Sequence, residues 1–268
     1  MMQNNMTSYL TGAFHISETG LVRNINEDAL LAIPNDGVFV ISDGMGGASA
    51  GEIASKMITD SLQVMTDTSL ESPGERKYLM QQTLHKVNAD IAKYADEHKF
   101  VSMGATMVAL LLNPWNSTQA DVCNVGDSRV YCFRKGELFL LSEDHVLSDK
   151  PDQKHILTNY LGGKSYMSAT WNQVAVCPED RFILCSDGLS SVVEDEKISQ
   201  ILHTQGNAEH TVNMLAEEIK KAGAPDNYSI ICIDIAKDLP KRPDISKEDQ
   251  EESDYLYSIA ERRKDYGR

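Results

Sequence analysis

Four aspartates in this sequence share one local grammar. Asp43 (VFVISDGMGG), Asp127 (CNVGDSRVY), Asp187 (RFILCSDGLS) and Asp226 (GAPDNYSIICI) each follow or precede a strand-like run, beside glycine or asparagine. An acidic pair, Glu27 and Asp28, lies in VRNINEDALLAI. Any one of these acids alone reads as a turn cap, a position that Asp and Asn favour. Five sites with the same context point to more. Carboxylates presented from strand ends into a common mouth suit hard cations, which take oxygen ligands. Two such cations form a clamp for displacement at phosphorus.

The loop after Asp43, ISDGMGGASAGE, has the glycines of a phosphate cradle but not its pattern. A Walker loop needs GxxxxGK[ST], and Gly51 is followed by Glu52; the dinucleotide fingerprint needs glycine at position 49, which is serine. Metal binding is the better reading, with Gly44 letting the backbone come close enough for its own carbonyl to serve as a ligand. Arg23, four residues before Glu27, carries a guanidinium able to grip a phosphate through two hydrogen bonds. An exposed surface arginine is the plain alternative.

These residues need a frame. Ile53, Ala54, Met57, Ile58, Ser61, Leu62 and Met65 recur at helical spacing, as do Leu79, Met80, Leu84, Val87, Ile91, Ala92 and Ala95. AEHTVNMLAEEIKKAG predicts a third helix. Strand-like runs lie around them: GVFVIS, TMVALLL, ADVCNVG, RVYCF, ELFLL, NQVAVC, RFILCS and NYSIICIDI. LLNPWNSTQA and FRKGEL read as hairpin connections. Hairpin strands with helices in separate blocks predict an antiparallel α+β layered fold. The Met and Leu stripes on the helices read as core.

From Ser8 to about Asp234 no linker-like break appears, so residues 1–236 read as one domain and 237–268 as a charged C-terminal tail, with a short helix near YLYSIAERRK. The formal charge of −15 on 268 residues argues against a nucleic-acid partner. No run of 18 apolar residues and no basic, apolar leader is present, so neither membrane insertion nor secretion is expected. Five cysteines without CxxC spacing, mostly in apolar runs, read as buried thiols of a cytoplasmic protein.

RNINED, VFVISDGMGGASAGEIAS, MGATMVALLL, CNVGDSRVYCFRKGELFLLSEDH, RFILCSDGL and APDNYSIICI occur in an order that resembles the bacterial metal-dependent serine/threonine protein phosphatases of the protein phosphatase 2C (PP2C, PPM) family, from about Thr11 to Asp234. The resemblance implies a four-layer α-β-β-α sandwich with two central antiparallel sheets. It implies two Mn²⁺ or Mg²⁺ ions, with Asp43 bridging them, the Gly44 carbonyl on one, and Asp187 and Asp226 completing the other. Glu27 would act mainly through water on the metals and Asp28 would support that network. Arg23 would grip the substrate phosphate, and Asp127 with Asp187 would offer a weaker third metal site. The implied activity is hydrolysis of phosphoserine and phosphothreonine in proteins by a water shared between the metals. The implied setting is a cytoplasmic monomer that opposes a serine/threonine kinase. A binding or regulatory protein on an inactive phosphatase fold, and a phosphatase of small phosphate esters, are the alternatives.

Three positions depart from the family pattern. Met45 stands where animal-type members carry a histidine proton donor, and bacterial-type relatives commonly share the methionine. Water on a metal is then the first candidate donor, and His145 is a weaker second that also reads as structural. Only Ser148 to His155 separate SEDHVL from ILTNYLGG, where relatives hold a longer flap; a short one opens the cleft and weakens local substrate selection. Ser191 replaces an aspartate four residues after Asp187, which counts against the third metal.

Overall fold

In strand β3 (Val38–Met45), Val38 and Val40 pack into one apolar cluster while Phe39 and Ile41 pack into another. All four are fully buried. A strand hydrophobic on both faces must lie between two layers. The same split recurs in β5 (Met107–Leu112), where Met107, Ala109 and Leu111 face one cluster and Val108, Leu110 and Leu112 the other. The computed structural model describes residues 10–46, 50–66, 70, 72–113, 116, 118–147, 156–163 and 167–239. The expected helix near YLYSIAERRK and the short segment Ser148 to His155 lie outside the described residues.

Two antiparallel sheets result. One runs β2 (Asp28–Ile33), β3, β5, β6 (Gln119–Val125) and β9 (Thr170–Ala175), with the short β4 (Gly104–Ala105) pairing the end of β3. The other runs β1 (Leu10–Glu18), β11 (Tyr228–Ile235), β10 (Arg181–Cys185), β7 (Arg129–Arg134) and β8 (Glu137–Leu140). Phe39, Ile41, Val108 and Leu110 from the first meet Phe182, Leu184, Ile231 and Ile233 from the second. Helices α1 (Ala50–Leu62) and α2 (Pro73–His98) cover the outer face of the first sheet. The outer face of the second is covered by α4 (Asp195–Leu202) and α5 (Ala208–Lys221). A one-turn α3 (Asp187–Ser190) follows β10. This is the α-β-β-α sandwich that the resemblance implied.

Local chemistry sets the element ends. Ser72 caps α2 by accepting from the Glu75 N–H, ahead of Pro73, and Asn207 caps α5 by accepting from the His210 N–H. The β7–β8 turn places Lys135 and Gly136 at φ 51° and 82°, the left-handed pair that a two-residue hairpin needs. The stripes on α1 and α2 are core, as expected. Cys123, Cys132, Cys185 and Cys232 are buried thiols.

The sequence reading omitted β1, β2, β4, α3 and α4. LTGAFHISE mixes Gly, His and Ser into its alternation, and DEKISQIL is only eight residues long, too short for a periodic signal. Leu239, assigned to the tail, packs against the inter-sheet core, and Lys237 pairs with Glu179 at 3.1 Å. Among the described residues, no helix is long and apolar enough to cross a membrane.

Candidate active site

Asp28 begins β2 and Asp43 lies near the end of β3, directly opposite it in the antiparallel register. Both belong to one sheet. The hydroxyls that hold Asp28 come from the other: Ser186 Oγ and Ser229 Oγ each donate to Asp28 Oδ2 at 2.8 Å. Ser229 Oγ also lies 2.9 Å from Ser17 Oγ, which accepts from Asn26 Nδ2 at 2.8 Å. Ser229 has one proton and gives it to Asp28, so Ser17 donates in that pair. Asp28 Oδ1 is buried and has no hydrogen-bond partner among the described residues. Burial, together with Asp187 and Asp226, pushes the Asp28 carboxyl up to about 6 against the pull of the two serines.

Asp43 is positioned through its backbone. Its N–H donates to Thr106 Oγ1 at 3.1 Å and its carbonyl accepts from the Thr106 N–H at 2.8 Å. Thr106 Oγ1 is 2.7 Å from Ser128 Oγ. The Gly44 N–H donates to the Glu27 carbonyl at 3.1 Å, and Ser55 Oγ of α1 donates to that carbonyl at 2.6 Å. A Cβ on Gly44 would sit 2.2 Å from the Gly51 carbonyl oxygen and 2.5 Å from that of Glu27. Glycine here lets α1 and the Glu27 segment close on the strand, so packing supplies a reason the sequence reading did not give. The Glu27 carboxylate accepts from the Gly51 N–H in the first turn of α1, where the helix dipole favours an anion.

Asp187 and Asp226 sit at the same end of neighbouring strands, just after β10 and just before β11. The Asp187 carboxyl is hydrogen-bonded to that of Asp43, which joins the two sheets a second time. Asp226 accepts from Arg23 Nη2 at 2.8 Å and from the Asn227 N–H at 2.8 Å. Asn227 is the organiser that the sequence reading missed. Its side chain accepts from the Glu27 N–H and donates to the Thr19 and Ile25 carbonyls, at 2.8, 2.8 and 2.9 Å. The signal was present in APDNYS, but nothing local shows that an asparagine reaches across 200 residues.

Asp127 lies in the crossover from β6 to β7, where Gly126 at φ 106° turns the chain from one sheet to the other. Burial and Asp187 push its carboxyl up to about 7. Ser191 caps the end of α3 and offers no carboxylate beside it. Met45 pairs with Gly104 and has no proton to give. His145 is fully engaged: its Nδ1 accepts from the Gly126 N–H at 3.1 Å, which leaves the proton on Nε2, 2.8 Å from Thr170 Oγ1. That makes it a structural tie.

The site is therefore six carboxyls from both sheets facing very little positive charge. Arg23 bears on Asp226, Glu27 and Asp187, and Arg129 bears on Asp127. Burial first, then Asp28 and Asp187, hold the Asp43 carboxyl well above the usual carboxylate range. As the side chains stand, no three His, Cys, Asp or Glu residues among the described ones gather as a group that could hold an ion. Asp226 is turned to Arg23, and Asp43 to Asp187. The donor chemistry nevertheless fits hard divalent cations: all oxygen, strongly anionic, with a buried Asp28 Oδ1 left unpartnered.

Comparison with known proteins agrees with this geometry. Residues 11–222 match the family model described as "Protein phosphatase 2C". A serine/threonine phosphatase, Stp, of Listeria innocua is 28% identical over 247 residues, covering 81% of this chain and 93% of that protein. The serine/threonine protein phosphatase PstP of Mycobacterium tuberculosis is 31% identical over 235 residues, 82% of this chain and 44% of that protein. Among solved structures, PppA of Pseudomonas aeruginosa superposes with a TM-score of 0.77 at 29% identity, covering 85% of this chain and 99% of that one. The catalytic domain of PstP in complex with two manganese ions gives 0.75 at 29% identity, with the same coverage. With two sheets bringing these acids to one end, and the family pattern running through most of its length, this chain belongs to the protein phosphatase 2C family.

Proposed function

We propose that this chain is a metal-dependent protein phosphatase that hydrolyses phosphoserine and phosphothreonine in proteins. The observation that carries the reading is the meeting of Asp43 from one sheet with Asp187 from the other, among further carboxyls with little cationic compensation. Asp43, Asp187 and Asp226 would hold two Mn²⁺ or Mg²⁺ ions, with Glu27, Asp28 and the Gly44 carbonyl around them and Asp127 at a weaker third position. When bound, such ions supply an acidified water as nucleophile and positive charge opposite the phosphoryl oxygens. The PstP catalytic domain, a relative of the same fold, was solved with two manganese ions.

The chain's own residues have distinct tasks in this scheme. Arg23, half exposed and held 2.8 Å from Asp226, is placed to exchange that carboxylate for a substrate phosphate. Asn227 fixes the backbone at Glu27, and the serine relay fixes Asp28. Neither Met45 nor the engaged His145 supplies the proton for the leaving serine, so water at the site does. The buried thiols support a reducing, cytoplasmic setting, and a phosphoprotein substrate implies a kinase of matching residue class.

The test follows turnover of para-nitrophenyl phosphate and of a phosphothreonine peptide with Mn²⁺, with Mg²⁺ and with EDTA, alongside Asp43→Asn. Metal-dependent turnover of both substrates, lost in the variant, is expected. Turnover that survives EDTA, or that Asp43→Asn leaves intact, overturns the metal scheme. Hydrolysis of the small ester without any phosphopeptide overturns the protein substrate.

A further inference from the structure

The loop between β1 and β2 exposes three large apolar side chains around Arg23. Leu21 and Val22, the two residues before it, are 71% and 66% exposed, and Ile25 is 43% exposed. Single apolar residues on a surface are ordinary. Here three of five consecutive positions are apolar and open to water, beside the guanidinium placed to meet the phosphate. The backbone beneath them is fixed. The Leu21 N–H donates to the Ala224 carbonyl at 2.9 Å, and Asn227 binds the Thr19 and Ile25 carbonyls. Gly20, at φ 80°, passes so close that a Cβ would lie 2.2 Å from the Asp226 carbonyl oxygen. The apolar side chains are therefore displayed from a pinned loop continuous with the catalytic acids.

We infer that Leu21, Val22 and Ile25 form an apolar rim that selects phosphoproteins carrying an aliphatic or aromatic side chain next to the phosphorylated residue. This rests on the protein phosphatase reading and adds the neighbouring residue to it. Electrostatics point the same way. The formal charge of −15 disfavours acidic flanks. Arg23 is committed to the phosphate, which leaves no cation of this loop for an acidic neighbour. An apolar side chain on the substrate loses water against Leu21 and Val22 without meeting that field.

The experiment uses the full chain with Mn²⁺. Two phosphothreonine peptides differ only in the flanking residues, leucine and valine in one and serine in the other; para-nitrophenyl phosphate is the substrate without a flank. The double variant Leu21→Ser with Val22→Ser is compared with the native chain. The native chain is expected to favour the apolar peptide by about tenfold in kcat/KM, on the scale of one or two apolar contacts. The double variant should lose that preference with para-nitrophenyl phosphate turnover unchanged, and thermal melting checks that it folds. Equal rates on the two peptides, or a preference the variant keeps, overturn the rim while leaving the phosphatase reading intact. Failure on every peptide, with the small ester still hydrolysed, overturns both. A native chain that sediments as a dimer and becomes monomeric in the double variant assigns the rim to a second copy and overturns substrate selection.

Discussion

Asp28 and Asp43 are direct cross-strand partners in the β2–β3 pair. Opposed residues in an antiparallel pair point their side chains to the same face, and like charges there are destabilising. The fold thus holds two acids in a position that stability alone would not choose. Asp43→Asn should remove metal-dependent turnover and weaken Mn²⁺ binding measured by calorimetry. The same change, made in EDTA, should raise the melting temperature by about 2–6 °C, because it relieves repulsion of about 1–2 kcal/mol. A lowered melting temperature would show that the repulsion is not what Asp43 contributes.

Arg23 separates charge from shape. Arg23→Ala should lower kcat/KM for phosphoesters by about 10–100-fold, and Arg23→Lys should recover only part, since an ammonium lacks the planar fork. Stability should change by less than about 1 kcal/mol in either variant, because the Asp226 pair is largely solvent-exposed. Steady-state kinetics and urea melts read the two effects separately. Full recovery by lysine would rule out two-point recognition.

Asn227 should behave as a positioning residue. Asn227→Ala removes side-chain bonds to Glu27, Thr19 and Ile25, at about 1 kcal/mol each, so destabilisation of about 2–4 kcal/mol is expected. Turnover should fall and the metal concentration at half-maximal rate should rise, since Glu27 loses its anchor. Asn227→Asp keeps the acceptor for the Glu27 N–H and loses both donors, so it should recover only part of either effect. Recovery of metal affinity without recovery of stability would place the Glu27 bond first among the three.

Far from the acids, Arg134 binds Asp180 through two hydrogen bonds of 2.8 and 2.7 Å, and both side chains are buried. Arg134→Ala strands a buried carboxylate and should cost about 3–5 kcal/mol. Turnover at low temperature should be unchanged while the denaturation midpoint drops. A loss of turnover in folded protein would show coupling between this pair and the acids.

Legibility in the sequence followed sequence distance. The glycines and acids at strand ends were readable because turn chemistry is local, and short apolar runs bounded by turn residues marked β3, β5, β6 and β10. Asp43, Asp187 and Asp226 stood out for that reason, and the family pattern arranged them. The serine relay was not readable: Ser17, Ser186 and Ser229 are common residues whose meaning appears only when β1, β10 and β11 lie side by side over Asp28. Gly44 was readable as a close approach, but the approaching partner, α1, was not. His145 read as the weaker donor candidate and as a structural residue, and the engagement of both ring nitrogens supports the structural reading.

The first and last strands of the described fold are neighbours, with Leu10 against Ile235 and Glu18 against Tyr228. A sheet closed by its two most distant segments forms late, because a long loop must be ordered first. During synthesis, a chain lacking β11 carries Asp226 and Asn227 without the strand that seats them, and β1 has no edge to join. A nascent or C-terminally clipped chain is therefore expected to be silent toward phosphoproteins until the final strand zips the sandwich shut.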